Sequence, residues 1–207
     1  MGIDFSYLLY FESNLKWNAL KATADIAMPC EPPVKIVFPD HELLVPMQIW
    51  SDRNFTLQYD EPELDLSTSL YFEEDEAIRD YFHYVPKDDS LRSPPEGNKP
   101  RLQAVGFIYL TIYNESSGWY SAGDRGNTIA FNYGTTGTHM SLLFDESASI
   151  RKGFVELLER VPGVCGVFNR EDSGEVFWYK GQTLSFQIPD PFLPLPQIEA
   201  QMGSEYR

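Results

Sequence analysis

A loop-like segment at residues 114–126 carries the side chains best suited to recognition. Its sequence, NESSGWYSAGDRG, is rich in Gly and Ser and contains Trp119, Tyr120, Asp124 and Arg125. Aromatic and Arg side chains anchor many protein interfaces, and binding residues are often carried on loops of a rigid scaffold. The segment therefore predicts a binding loop. The alternative is a connection whose aromatic side chains fold back onto the core.

The three histidines, His41, His83 and His139, offer little for metal binding or catalysis. None belongs to an HxH or HExxH pattern or to a His/Cys cluster, so no transition-metal site is predicted. His139 and Ser141 share a face of a predicted strand, but the chain has no GxSxG nucleophile elbow. We therefore expect neither a cofactor nor a catalytic pair, and the chain is not predicted to be an enzyme.

The acidic run EEDE at residues 73–76 has two interpretations. It could hold a divalent cation, but it lacks the spacing of a calcium loop, and consecutive helical residues point in different directions. Acidic residues are also favoured in the first turn of a helix, where they complement the helix dipole. The run therefore predicts the start of a helix.

The net charge limits the classes of partner. Sixteen basic and thirty-one acidic residues give a formal net charge of −15. Binding to DNA or RNA depends on neutralising phosphates with Lys and Arg, and adsorption to an anionic membrane also requires basic residues. We therefore expect no nucleic-acid and no membrane partner. The charge indicates either a soluble surface or a protein partner with a basic face.

Cysteine usage and hydropathy predict a cytoplasmic protein. Cys30 and Cys165 form neither a CxxC pair nor a disulfide framework, which is typical of a reducing compartment. The chain contains no run of about 18 consecutive apolar residues, so no membrane span is predicted. The first residues lack the basic region and the apolar run of a secretory signal peptide, so no secretory signal is predicted. We expect a monomer or a small homo-oligomer.

Two related segments organise the predicted elements. In residues 141–161, Leu142 and Phe144 predict a strand, and a stripe through Ile150, Phe154 and Leu158 predicts the helix that follows. A similar pattern occurs at residues 69–85. At a constant offset the identical pairs are Thr56/Thr128, Ser69/Ser141, Leu70/Leu142, Phe72/Phe144, Glu74/Glu146, Ile78/Ile150, Arg79/Arg151 and Phe82/Phe154.

These identities predict an internal duplication of a strand–strand–helix unit, with halves at residues 55–85 and 127–161. In the second half, residues 127–133 and 138–144 are predicted to form a hairpin. The alternative is that two amphipathic strand-to-helix turns resemble each other through shared physical constraints. Two copies also exclude a long solenoid, which needs about three or more stacked repeats.

The remaining chain completes an α+β pattern. Strands are predicted at residues 5–11 and 102–113, and a hairpin at 164–169 and 175–180 around the turn sequence DSG. Residues 86–100, rich in Pro, Ser and charge, predict a hinge or long surface loop. The prediction is one domain over residues 1–188, a largely antiparallel sheet with about three helices on one side, followed by an extended Pro-rich tail at 189–207.

Three functional hypotheses follow from these patterns. The first is a non-enzymatic acidic protein-binding module, such as an inhibitor, an immunity-like protein or an accessory subunit. The second is an enzyme or small-ligand-binding protein with a pocket between the two halves, lined by Tyr109, Tyr113 and His139 near Asp124 and Arg125. The third is a homo-oligomer formed through a sheet edge near Pro46, because proline is confined to edges and bulges.

Overall fold

The computed structural model describes residues 2–49, 55–85, 97, 99–113, 128–135 and 137–203. Its strands are β1 (Ser6–Glu12), β2 (Val34–Val37), β3 (Glu42–Val45), β4 (Gln48–Ile49), β5 (Thr56–Gln58), β6 (Glu63–Glu73), β7 (Leu102–Tyr113), β8 (Thr128–Gly134), β9 (Cys165–Asn169), β10 (Gly174–Tyr179) and β11 (Gln182–Ile188). Its α-helices are α1 (Lys16–Ala24), α2 (Glu76–Tyr84), α3 (Thr138–Glu146), α4 (Ala148–Arg160) and α5 (Leu195–Met202). The mixed α+β content predicted from the sequence is confirmed.

An eight-stranded sheet in the order β11-β10-β9-β1-β8-β7-β6-β4 forms the centre of the molecule. Every pair of neighbouring strands in it is antiparallel. A second sheet of three strands, in the order β3-β2-β5, is mixed because β2 and β5 run parallel. Pro46 lies between β3 and β4, each of which is the terminal strand of its own sheet. This position agrees with the edge location expected for proline.

Strand β1 lies between β8 and β9, and both faces of the sheet are covered here. Tyr7, Leu9 and Phe11 point to one core cluster, which defines the first face of the sheet. Leu8 and Tyr10 point to a separate cluster on the second face. A strand that is buried on both sides reads as a continuous apolar run, which explains the sequence YLLYF.

Four helices pack on the first face. The core cluster there includes Leu20 of α1, Ile78 of α2, Met140 of α3 and Phe154 of α4. The Phe154 ring stacks on Tyr7, with 4.4 Å between the ring centroids. Aromatic pairs at such distances contribute beyond the area that they bury. The helices are therefore held to the sheet by one aromatic core.

The fifth helix corrects two predictions about the chain end. Helix α5 packs Leu195, Ile198 and Met202 into the cluster on the second face, so the helices do not all lie on one side. Residues 195–202 are also helical rather than extended. The apolar spacing of three and four predicts a helix, and Pro196 is tolerated because it lies in the first turn. The surrounding prolines concealed this pattern.

The predicted strand at residues 138–144 is wrong, because these residues begin helix α3. Consequently the second proposed half does not contain the strand–strand–helix unit, and its hairpin is absent from the described structure. The buried residues are Met140, Ser141, Leu143 and Phe144, while Leu142 is 42% exposed. Burial at positions i, i+3 and i+4 is helical, whereas the alternation of Leu142 with Phe144 matched a strand. The duplication itself stays a prediction.

The acidic run at residues 73–76 leads into helix α2, as predicted. Asp75 is the N-cap residue, and its Oδ1 accepts a hydrogen bond from the Ile78 backbone N–H at 2.9 Å. The other carboxylate oxygen accepts from the Ser147 hydroxyl at 2.8 Å and from the Ser149 backbone N–H at 3.0 Å. Asp75 therefore satisfies free groups at the start of both α2 and α4.

The predicted hairpin after α4 is confirmed. Strands β9 and β10 pair in antiparallel register, and the Arg170 backbone N–H donates to Ser173 O at 2.8 Å across the turn. Turn residues between two short apolar runs predicted this pairing. The hairpin extends the sheet beyond β1 and carries residues of both cavities described below.

Candidate functional site

The four residues of the predicted binding loop, Trp119, Tyr120, Asp124 and Arg125, lie outside the described residues. The two ends of that segment are described. Strand β7 ends at Tyr113 and strand β8 begins at Thr128, which pairs with Glu12 at the end of β1. The segment therefore starts and finishes at one end of the large sheet, which we call the loop end.

A cleft of about 590 Å³ opens at the loop end. Its walls include Glu12 of β1, Leu158 and Glu159 of α4, Trp178 of β10, and the Lys180–Gly181 turn. We call it the loop-end cleft. It combines residues from one helix and two strands that are far apart in the sequence.

The end of helix α4 sets the shape of this cleft. Pro162 cannot continue the helix, and the Gly163 backbone N–H bonds to Leu158 O at 2.9 Å. A Cβ atom at Gly163 would lie 2.2 Å from Leu158 Cδ2, so a larger residue would force the Leu158 side chain to move. The turn leaves Leu158 buried and Glu159 exposed at the rim.

The floor of the loop-end cleft is apolar and its rim is acidic. Leu158 and Trp178 are buried, and the Trp178 indole N–H has no hydrogen-bond partner among the described residues. Glu12 and Glu159 are exposed, and neither forms an ion pair within the described part of the chain. Both carboxylates are therefore free to attract a positive charge.

The basic residue at the rim is already neutralised. Lys180 Nζ lies 3.1 Å from Glu199 Oε1 and 4.6 Å from the centroid of the Tyr179 ring. A side-chain hydrogen bond with Tyr179 and the contact with Glu199 together raise the pKa of Lys180 above its ordinary value. Lys180 thus stays charged but is balanced by Glu199, and the cleft presents an excess of negative charge.

This arrangement suits a long side chain that ends in a cation. The aliphatic stem of Lys or Arg packs well on apolar and aromatic surface while its charged head stays near solvent. Carboxylates at the rim would then meet the head in charge-assisted hydrogen bonds.

A second cavity, of about 440 Å³, lies at the opposite end of β1. Ser6, Gly134 and Asn169 form one cross-strand row in its wall, because Ser6 pairs with both other residues. Asn132 and Glu171 also line it. We call it the polar cavity. It lies on the second face, because Asn132 pairs with Leu8 and paired side chains share a face.

The residues of the alternative predicted pocket are divided between the two faces of the sheet. Tyr113 belongs to the cluster on the second face, and Tyr109 shares that face by strand alternation. Helix α3 packs its buried residues on the first face, and His139 near its start is exposed. Tyr109 pairs with Gly134 and so lies beside the polar cavity.

One partly buried ion pair has a structural role. Arg151 of α4 meets Glu175 of β10 in two parallel hydrogen bonds of 3.0 Å and 2.7 Å. The guanidinium lies over the rings of Phe168 and Phe177. The hydrogen bond from Arg151 lowers the pKa of Glu175 below its ordinary value. The pair connects α4 to the β9–β10 hairpin.

Sequence reasoning missed the residues of both cavities. Glu12 and Glu159 are separated by most of the chain, and Trp178 lies in an apolar run that predicts only a buried strand. No local pattern signals that these residues converge. A strand end, a helix end and a turn had to be recognised as neighbours, which requires the strand order of the sheet.

Neither a cluster of metal-ligating side chains nor a membrane-spanning helix occurs in the part of the chain that the structure describes. No group of three or more His, Cys, Asp or Glu side chains there is placed to hold a metal ion. None of the described helices has the length and apolarity needed to cross a membrane. Comparison of the chain with protein-family models, curated proteins and solved structures found no match.

Proposed function

We propose that the protein is a non-enzymatic, acidic protein-binding module that receives a basic side chain of its partner in the loop-end cleft. The observation that carries this proposal is the apolar floor of Leu158 and Trp178 beneath two exposed carboxylates, Glu12 and Glu159. The net charge of −15 adds long-range attraction for a basic partner.

The attachment points of the predicted binding loop also favour a partner at the loop end of the sheet. The segment that carries Trp119 and Arg125 is attached at Tyr113 and Thr128, and Thr128 pairs with Glu12 at the rim of the cleft. Aromatic and Arg side chains are typical of the energetically important part of an interface. We therefore assign the partner to the loop end of the sheet, in the manner of an inhibitor, an immunity-like protein or an accessory subunit.

The alternative of an active site between the two halves has less support. It requires Tyr109, Tyr113 and His139 to converge, but the two tyrosines and helix α3 lie on opposite faces of the sheet. A homo-oligomer through the edge near Pro46 remains a separate proposal. Light scattering over a range of concentrations tests it, and a constant monomer mass would contradict it.

A defined probe tests the cleft. Acetyl-arginine methylamide carries the cation, and acetyl-citrulline methylamide has nearly the same shape without the charge. In calorimetric titrations the arginine probe is expected to bind more tightly than the citrulline probe. The double variant Glu12→Gln, Glu159→Gln should remove this preference, because it removes both rim carboxylates without changing their volume.

A charge-matched control separates the cleft from the overall charge. Glu76→Gln with Glu156→Gln removes two exposed carboxylates elsewhere and should leave the preference for arginine unchanged. The same two variants are then compared in affinity capture of a partner from native extract. Loss of the partner from both variants, or equal binding of the two probes, would contradict a specific role for the cleft.

A further inference from the structure

The Lys180–Gly181 turn connects the loop-end cleft to the second face of the sheet. Both turn residues line the cleft, and its floor residue Trp178 belongs to the core cluster on the first face. The next residue along the strand, Tyr179, belongs to the cluster on the second face. Lys180 therefore follows two side chains that point to opposite faces, and its own long side chain can reach either one.

In the structure, the Lys180 ammonium is held on the second face. Lys180 Nζ donates to Glu199 Oε1 at 3.1 Å, and the Tyr179 hydroxyl donates to the same oxygen at 2.6 Å. The Lys180 backbone N–H donates to Val164 O at 3.0 Å. Lys180 and Gly181 have φ angles of +45° and +86°, as in the tight two-residue turns of hairpins. The backbone of Lys180 is therefore fixed, and contacts with Glu199 and Tyr179 direct its charged end.

Glu199 is carried by helix α5, which is short. The helix has eight residues, and its buried side chains, Leu195, Ile198 and Met202, lie in the cluster on the second face. Its N-cap residue is Pro194, whose side chain has no polar group to bond the free N–H groups of the first turn. Helices of this length are marginal without tertiary contacts. We therefore expect the release of α5 to cost less free energy than global unfolding.

Release of α5 would change the charge balance of the cleft. Glu199 would leave with the helix, and the Lys180 ammonium would lose the carboxylate that neutralises it. Glu12 and Glu159 line the same cleft as Lys180, so their carboxylates would be the next partners within its reach. A long cationic side chain over an apolar floor is the group that the cleft is proposed to receive. Lys180 would then compete with the basic side chain of the partner.

We propose that helix α5 regulates the loop-end cleft by controlling the position of Lys180. While α5 is docked, Glu199 keeps the Lys180 ammonium on the second face, and the cleft is open to a basic side chain. When α5 is released, Lys180 moves into the cleft and excludes that side chain. This inference rests on the proposed function of the cleft. It makes Glu199, which lies outside the lining of the cleft, a residue that sets its affinity.

The coupling acts in both directions. If docked α5 favours a basic ligand in the cleft, that ligand favours docked α5 to the same extent. Cys165 reports on docking, because it is fully buried in the cluster that α5 covers. Burial also raises the pKa of its thiol. Since the thiolate is the reactive form, the rate of Cys165 alkylation measures how often the cluster opens.

Calorimetric titration with acetyl-arginine methylamide tests the role of Glu199. Glu199→Gln should weaken binding about threefold, the size expected for one exposed ion pair. Lys180→Met removes the competing ammonium and should bind the probe at least as tightly as the wild type. In the Lys180→Met background, Glu199→Gln should have no effect, which separates competition from a general loss of negative charge. Asp172→Asn, which removes an exposed carboxylate elsewhere, should bind as the wild type does.

Alkylation of Cys165 in a Cys30→Ser background tests the reverse direction. Saturating acetyl-arginine methylamide should slow alkylation about threefold, whereas acetyl-citrulline methylamide should not change it. Lys180→Met should abolish this slowing. Ile198→Ala loosens α5 and should speed alkylation at least about tenfold, which verifies that the thiol reports on docking. Circular dichroism checks that this variant is folded, and Glu199→Gln, which keeps the apolar contacts of α5, should also speed alkylation.

The results distinguish this inference from the function on which it rests. Equal binding of the arginine and citrulline probes by the wild type contradicts the proposed function, and the regulation with it. A clear preference for arginine with equal affinities for wild type and Glu199→Gln contradicts the regulation alone. Equal weakening by Glu199→Gln with and without Lys180 also contradicts it, because the effect would then be one of overall charge. An alkylation rate that does not respond to the arginine probe would show that α5 and the cleft are not coupled.

Discussion

Helices α2 and α4 begin in the same way, although the segments before them fold differently. Asp75 and Ser147 occupy equivalent positions in the two similar segments, and each is the N-cap residue of its helix. The Ile78 N–H donates to Asp75 Oδ1 at 2.9 Å, and the Ile150 N–H donates to Ser147 Oγ at 3.1 Å. The two caps also contact each other, because the Ser147 hydroxyl donates to Asp75.

The segments before these caps differ in secondary structure. Residues 69–72 belong to strand β6, whereas the equivalent residues 141–144 belong to helix α3. Leu70 is buried but its counterpart Leu142 is exposed. Ser141 is fully buried and its hydroxyl donates to Ile3 O at 2.6 Å. Identical residue types therefore adopt either structure, and the contacts available around them decide which one forms.

The equivalent arginines also differ in their surroundings. Arg151 forms two hydrogen bonds to the buried carboxylate of Glu175, and its side chain is 33% exposed. Arg79 is 61% exposed and reaches Glu74 only at 4.0 Å. Arg79 and Arg151 therefore occupy equivalent positions in their helices, but the partner that each side chain meets across the fold sets its role.

The largest difference in the free energy of unfolding is expected between substitutions of the equivalent phenylalanines, Phe154 and Phe82. Phe154 is fully buried, and its ring centroid lies 4.4 Å from Tyr7 and 5.0 Å from Tyr133. Phe154→Ala should lower the free energy of unfolding by about 3–5 kcal/mol. Phe82 is only half-buried, so Phe82→Ala should cost about 1–2 kcal/mol. Urea denaturation measures both, and equal losses would contradict the difference in packing.

The arginines should give the next largest difference. Arg151→Met leaves the Glu175 carboxylate buried without its main partner and should destabilise the protein by about 3 kcal/mol. Arg79→Met removes an exposed, loosely paired charge and should cost less than about 0.5 kcal/mol. Both are measured by thermal and urea unfolding. If the two substitutions cost the same, Arg151 does not hold α4 to the hairpin.

Substitutions of the two N-cap residues should differ by a smaller amount in the free energy of unfolding. Asp75→Ala removes acceptors from the starts of both α2 and α4 and should cost about 2 kcal/mol. Ser147→Ala removes one cap and should cost about 1 kcal/mol. In a double-mutant cycle the losses should not add, because the two side chains contact each other. Additive losses would show that each helix is capped independently.

The smallest expected effect is the pH dependence of stability that Glu175 contributes. The pKa of Glu175 lies below its ordinary value of 4.5, because Arg151 favours the charged carboxylate. The unfolded chain therefore binds a proton at a higher pH than the folded protein does. The stabilisation is complete above the ordinary pKa and is lost as the pH falls through the lowered pKa of the folded state.

The variant Glu175→Gln tests this dependence on pH. Its free energy of unfolding is compared with that of the wild type from about pH 6 to about pH 3. The difference between the two proteins should shrink toward acid pH. Asp172→Asn, which alters an exposed carboxylate nearby, should follow the wild-type curve. A constant difference between wild type and Glu175→Gln would contradict the proposed role of the ion pair.

Much of the fold was predictable where local signals agreed. The helix stripe through Ile150, Phe154 and Leu158, the acidic start at Asp75 and the turn before β10 each produced the expected element. In these places periodicity, capping and turn residues all indicate the same structure, which makes prediction reliable.

Predictions failed where two periods matched the same residues. Residues 138–144 match a strand through Leu142 and Phe144, and a helix through Met140, Leu143 and Phe144. The structure adopts the helix, which buries Ser141 against the start of the chain, where its hydroxyl bonds to Ile3 O and Thr135. These contacts span more than a hundred residues in the case of Ile3, so no window of local sequence contains them.

The candidate sites were less predictable than the fold. The predicted binding loop around Trp119 and Arg125 is attached beside the loop-end cleft, but the residues of that cleft were not identified from the sequence. Glu12, Leu158 and Trp178 come from three distant parts of the chain. Similarly, nothing in the sequence signals that the side-chain oxygen of Asn132 is buried without a hydrogen-bond partner among the described residues.

By itself, the sequence determined the acidic charge, the α+β character and the elements whose period, cap and turn signals agree. These properties depend on composition or on residues within a few positions of one another. Only the tertiary structure decided which face each helix covers, which arginine pairs with a buried carboxylate and where the two cavities open. Burial and pairing depend on strands that become neighbours through the order of the sheet, and that order is a property of the whole chain.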